Sequence, residues 1–175
     1  VDVQPAAASS RTIVVVADVD IPNFGELLAP YIGRVPSEGR PRLLALLERG
    51  AAQRYRMWAT DLPEHADVLL ACSASEDEIA DRIDAAFALD DARRDDVHAP
   101  LPDARRAYED VFDGLDVWDQ LRIQADAERQ GARAWRNIAA VHPDPAVVRE
   151  LHACAALEEA SAERLDALIA RHGGG

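Results

Sequence analysis

A stretch of helical text occurs twice in this chain, and the two copies agree at their rarest residues. Glu48-Arg49-Gly50-Ala51-Ala52-Gln53-Arg54-Tyr55-Arg56 aligns with Glu128-Arg129-Gln130-Gly131-Ala132-Arg133-Ala134-Trp135-Arg136 at an offset of 80, which also sets Ala59 on Ala139 and Pro63 on Pro143. In the helix that follows each copy the offset becomes 82. Ala71-Cys72 then meets Ala153-Cys154, Glu76-Asp77 meets Glu158-Glu159, and Arg82-Ile83-Asp84-Ala85 meets Arg164-Leu165-Asp166-Ala167. The two Cys, the prolines and the aromatic pair all coincide. A chain built this way is expected to fold as two like helix pairs.

Helical periodicity and its breakers divide the text. Apolar residues recur at helical spacing over Arg42–Asp61, His65–Leu89, Asp116–Val141 and Ala146–Arg171. Pro63 ends the first segment, and Asp144-Pro145 supplies a cap and a first-turn proline for the last. Asp103–Phe112 reads as a shorter helix, closed by Asp113-Gly114, and Asp90–Pro102 as a charged connection. Phe24–Tyr31 reads as a short helix in a proline-punctuated stretch. Residues 1–40 are thus an arm with a short helix, 41–172 an all-α four-helix bundle with a long crossover, and 173–175 a glycine tail. Within the arm, Ile13–Ala17 is expected to pack on the domain as a strand-like segment or a helical turn.

Composition narrows the partners. Asp and Glu total 32 against 19 basic residues, all Arg, for a net charge of -13. Neither phosphates nor anionic lipid would be attracted, so neither nucleic acid nor membrane is expected. The apolar run at residues 13–17 is too short for a secretory leader and has no basic segment before it, so a cytoplasmic location is expected. No Gly-rich phosphate loop or nucleophile motif occurs.

The helical stripes contain an anomaly. Leu69, Cys72, Glu76, Ile79 and Ile83 share one face, as do Leu151, Cys154, Glu158, Ser161 and Leu165. Glu48 lies with Leu44, Ala51, Tyr55 and Ala59, and Glu128 with Leu121, Trp135 and Ile138. Each long helix therefore carries a glutamate on its apolar side. Ser75-Glu76-Asp77-Glu78 has the form of a capping box, which would expose Glu76 in a first turn. The matching Ala156–Glu159 has no such cap, so a continuous helix is expected. Converging carboxylates repel and resist ionisation unless metal, protons or Arg compensate them.

These residues resemble the ferritin-like superfamily, most closely its rubrerythrin-type bundles, over Pro41–Arg171. That family places a Glu with an aromatic residue seven positions on in its first and third helices, matched by Glu48 with Tyr55 and Glu128 with Trp135. Its second and fourth helices carry Glu-x-x-His, and here Ile79 and Ser161 stand where the histidines belong. The resemblance implies metal ligands Glu48, Glu76, Glu128 and Glu158, without the nitrogen donors. His65, His98, His142, His152 and His172 lie elsewhere and offer no substitute. It also implies antiparallel second and fourth helices, with Cys72 and Cys154 more than ~10 Å apart as free, buried thiols.

Three functions are compatible with this text. The first is a degenerate, non-catalytic binding or assembly module without a cofactor, working as a homodimer or with an unknown protein partner. The second is a carboxylate-bridged di-metal oxidoreductase or iron-handling protein with two divalent ions, iron or manganese. The third is a small-molecule binder in the bundle core, its pocket lined by Tyr55, Trp135, Ile79 and Ser161. Tyr108, Phe112 and Trp118 of the crossover would form either a docking surface or part of the core.

Overall fold

A computed structural model describes residues 19–174, whose regular structure is helical, without strands among them. The expected packing of Ile13–Ala17 lies outside the described residues. Helix α1 (Phe24–Ile32) leads through a short 3-10 turn at Ser37–Gly39 into α2 (Arg40–Asp61). A second such turn, Pro63–His65, joins α2 to α3 (Ala66–Ala86). After α4 (Asp91–His98) and α5 (Leu101–Glu109) come the long α6 (Val117–Val141) and α7 (Pro145–Gly173). α2 packs on α3, α6 on α7, and the two pairs join along α3 and α7. Those two helices run antiparallel, with Arg82 reaching Glu150 and Arg164 reaching Ser75.

Local chemistry sets most boundaries. Asn23, Asp90, Asp116 and Asp144 each accept a hydrogen bond from a backbone N–H in the first turn of the helix that follows. Pro145 occupies the first turn of α7, where its missing N–H costs nothing. α3 runs unbroken past Ser75, whose hydroxyl donates to the Ala71 carbonyl one turn back rather than capping a new helix. Residues 90–102, expected as a connection, contain α4. Among its described side chains one apolar residue, Val97, is buried, and it packs with Val35, Leu43 and Leu101, so no periodic stripe announces the helix.

α2 and α6 stand further apart than α3 and α7, and polar side chains span the gap. Trp58 Nε1 donates to Gln120 Oε1 at 2.7 Å, Arg54 to Gln124 Oε1 at 3.4 Å, and Tyr55 Oη to Glu128 Oε1 at 2.6 Å. The crossover supports this seam from outside. Tyr108 and Phe112 stack beside each other, and the Arg54 guanidinium lies over both rings. Phe112 is buried and Tyr108 and Trp118 pack against the same cluster, so these aromatics belong to the core.

Besides the small cluster around Val97, two larger apolar clusters fill the interior. One includes Tyr55, Trp58, Leu69, Cys72, Leu121 and Leu165; the other includes Ala45, Ile79, Ile83, Trp135, Leu151 and Cys154. Both cysteines are buried and free, in different clusters. On each long helix one glutamate falls between a residue of the first cluster and a residue of the second. Asp116→Ala removes the acceptor for the Trp118 and Asp119 N–H groups at the start of α6. Urea unfolding is expected to show a loss of about 1 kcal/mol with an unchanged m-value.

Candidate metal centre

Glu48 comes from α2, Glu76 from α3, Glu128 from α6 and Glu158 from α7. Glu76, Glu128 and Glu158 are 0%, 1% and 2% exposed. Glu48 borders a cavity and is partly buried, but its carboxyl lies at the inner end. Single oxygens of Glu48, Glu76 and Glu158 fall within 4.8 Å of one another. Glu128 adjoins Glu76 and Glu158. The structure thus brings all four predicted carboxylates together.

No arginine among the described residues pairs with them. The basic residues beside them in sequence turn outward: Arg49 binds Asp81 and Asp84, Arg129 binds Asp166, and Arg136 binds Glu159. One cation among the described residues is linked to them indirectly. Arg54 donates to Gln124 Oε1, and Gln124 Nε2 donates to Glu128 Oε1 at 2.7 Å. Trp135 Nε1 donates to Glu158 Oε1 at 2.9 Å. Both Glu76 oxygens, Glu128 Oε2 and the Ser161 hydroxyl are buried with no hydrogen-bond partner among the described residues.

Charge and burial act together on this group. Burial, and then the Glu128 carboxylate, push Glu48 from 4.5 up to about 8. Burial raises Glu76 well above the usual carboxylate range, reinforced by Glu128 and Glu48. Glu158 rises for the same reason, with Glu48, Glu76 and Glu128 adding to burial. Burial likewise lifts Cys72 to about 11 and Cys154 to about 12, so neither is a ready thiolate nucleophile.

A cavity of about 670 Å³ leads to this centre between α1, α2 and α6. Phe24, Leu28, Leu44 and Leu47 contribute apolar wall, while Glu48, Glu128, Glu158 and Trp135 lie at its inner side. Of the residues expected to line a pocket, Trp135 does so. Tyr55, Ile79 and Ser161 are fully buried away from it, Ile79 in an apolar cluster and Ser161 beside the Cys72 thiol.

Sequence reasoning did not single out Gly131, Gln124 or Gln130. A Cβ on Gly131 would meet Glu158 Oε1 at 2.5 Å, so this glycine gives the carboxylate its place against α6. The visible signal was a glycine in a helix interior. Gln124 lies one turn before Glu128, a legible spacing. Gln130 accepts from the Phe24 N–H and donates to the Pro22 carbonyl, fastening the start of α1 over the cavity. Nothing in the sequence pattern marked that role.

The donors fit a hard divalent ion. They are oxygens only, several are buried and unpartnered, and no cation among the described residues pairs with them. No protein-family model, curated protein or solved structure matches the chain.

In chelator-treated protein the raised Glu48 carboxyl gives a signed pH dependence. A folded-state value above the unfolded one means stability is fully present below 4.5 and is lost as pH rises through about 8. Glu48→Gln does not titrate. Its melting temperature is therefore expected to gain on the wild type between pH 5 and pH 8 by at least about 3 °C, the shift of roughly 1 kcal/mol in a chain of this size. A gap independent of pH contradicts the assignment.

Proposed function

We propose that this chain is a ferritin-like four-helix bundle, formed from two related helix pairs, that binds divalent metal at its glutamate centre and serves in iron or manganese handling. The observation that carries this reading is the convergence of Glu48, Glu76, Glu128 and Glu158 with no arginine paired to any of them among the described residues. Ionised carboxylates in such a place need a positive charge, and the interior contributes none within hydrogen-bonding reach. A bound ion supplies Lewis acidity and, for iron or manganese, one-electron chemistry.

The chain's own residues have separable parts in this. Glu76 offers oxygens with no competing donor. Trp135 and the space left by Gly131 orient Glu158, while Tyr55 and Gln124 orient Glu128. The cavity gives access from outside. Its volume also favours a second reading, a small molecule seated between α1, α2 and α6 against the carboxylates. A metal-free assembly module has less support, because the exposed large apolar side chains Ile21, Met57, Leu70 and Val141 lie on separate elements.

The test is metal retention. The full chain, stripped with chelator, is loaded with Mn²⁺ or, without oxygen, Fe²⁺, then desalted and analysed for metal. Metal should stay with the wild type and be lost from Glu76→Gln and Glu158→Gln, each checked for folding by circular dichroism. At free metal 100 times Kd the wild type should gain about 2.7 kcal/mol in stability. A wild type that retains neither metal refutes the reading. Gly131→Ala is expected to remain folded yet bind metal about tenfold more weakly, because its new methyl displaces Glu158.

A further inference from the structure

The sequence alignment of the two helix pairs sets Glu48 on Glu128, Tyr55 on Trp135, Leu44 on Gln124 and Ile79 on Ser161. Were these positions equivalent in space, the centre would hold two like metal positions, each with its own helix-α2 or helix-α6 glutamate. The side chains break that equivalence. Glu128 Oε1 receives two hydrogen bonds, from Tyr55 Oη at 2.6 Å and Gln124 Nε2 at 2.7 Å. Arg54, held over Tyr108 and Phe112, stands behind Gln124.

Among the described residues, none places such a restraint on Glu48. Its counterpart of Gln124 is Leu44, which can donate nothing. Trp135, the counterpart of Tyr55, donates to Glu158 on its own neighbouring helix instead of reaching across to Glu48. One glutamate of the matched pair is thereby tied back by neutral donors, and the other, with no donor among the described residues, borders the cavity. The recess at Gly131 is one-sided too, since the aligned residue on α2 is Ala51, which carries a Cβ.

We infer that the centre holds a single hard divalent ion, ligated by Glu48, Glu76 and Glu158, with Glu128 outside the ligand set. The inference rests on the metal-binding reading above and goes further in fixing number, ligands and ion class. Oxygens bound to one ion at 2.0–2.6 Å lie at most about 5 Å apart. The oxygens of Glu48, Glu76 and Glu158 already meet that limit at 4.8 Å, and Glu128 is not in the group that does. Both oxygens of Glu76 are buried and unpartnered, so the cluster contains a ligand that nothing else satisfies. Ile79, one turn after Glu76, is buried hydrocarbon, and no imidazole or thiolate of the described residues joins the set. An oxygen-only triad of this kind suits Mn²⁺, Mg²⁺ or Ca²⁺ more than the nitrogen- and sulfur-seeking Zn²⁺ or Cu²⁺. Coordination positions not taken by the triad face the cavity, where water or an oxygen of a small ligand completes the shell. Glu128, with Tyr55 and Gln124, then forms an acidic outer layer beside the ion rather than a bridge between two.

Mn²⁺ is the probe. Equilibrium dialysis of the stripped full chain, read by elemental analysis, is expected to saturate at one Mn²⁺ per chain. The bound ion should give the hyperfine-resolved electron paramagnetic resonance spectrum of an isolated centre. Glu48→Gln should weaken binding more than about 100-fold, and Glu128→Gln only about tenfold, the smaller range of outer-layer effects, with the stoichiometry kept. Saturation at two ions with an exchange-coupled spectrum overturns the single-ion inference and leaves the metal-binding reading standing. Equal losses in Glu48→Gln and Glu128→Gln overturn it as well. A wild type that retains no Mn²⁺ but retains Fe²⁺ removes only the inference, whereas retention of neither removes both. The wild-type stoichiometry decides the matter even if a variant fails to fold.

Discussion

Burying several carboxylates together without a cation is the constraint around which this molecule is arranged. Each of Glu76, Glu128 and Glu158 is within 2% of complete burial, and Glu48 turns its carboxyl toward them. An ionised carboxylate far from water costs several kcal/mol even after relaxation, and like charges nearby add to that cost. The fold answers with neutral donors at two oxygens only, through Tyr55 and Gln124 on Glu128 and Trp135 on Glu158. Its many arginines instead tie α2 to α3 and α6 to α7 along the outside, where Arg49, Arg56, Arg129 and Arg136 meet surface acids. Such exposed pairs contribute little each. Their consequence here is that, among the described residues, no guanidinium pairs directly with a carboxylate of the centre.

The uneven spacing of the four long helices follows from the same constraint. α3 and α7 approach closely because small residues such as Ala80, Ala155 and Ala162 lie on their buried faces. α2 and α6 are kept apart by Tyr55, Trp58 and Trp135, whose bulk needs room and whose polar atoms need partners. Gln120, Glu128 and Glu158 provide those partners. The wider seam leaves the cavity, and α1 then covers it through the Gln130 clamp. Access to the centre and support of the centre therefore come from one feature, the width of the gap between α2 and α6.

Much of this was legible in the sequence because helices have a fixed period. A glutamate on an apolar stripe is visible without coordinates, and so Glu48, Glu76, Glu128 and Glu158 could be placed in the interior by counting residues. The same counting missed α4, whose described side chains include one buried apolar residue and so present no stripe. It could not foresee which oxygen Tyr55 would choose, since periodicity gives the face of a helix and not the reach of a side chain across a gap. It also placed Tyr55, Ile79 and Ser161 around a pocket. The cavity instead opens toward α1, a helix whose position depends on a glutamine contact 106 residues away in sequence. Long-range contacts of single polar groups leave no periodic trace.

Proton and metal are rival solutions to the same electrostatic problem, and that rivalry links the two halves of the structure. Raised affinity for protons in Glu48, Glu76 and Glu158 means that an interior without metal carries its carboxyls partly in neutral form. A divalent ion must displace those protons to bind, so its apparent affinity falls as pH falls. The neutral donors on Glu128 and Glu158 lower the number of oxygens available to either occupant without adding charge. Arginine at the Gln124 position would have solved the burial problem permanently by ion pairing and ended the competition. A glutamine there, with Arg54 one bond further out, holds Glu128 in place while leaving the charge of the centre to be balanced by something that can come and go.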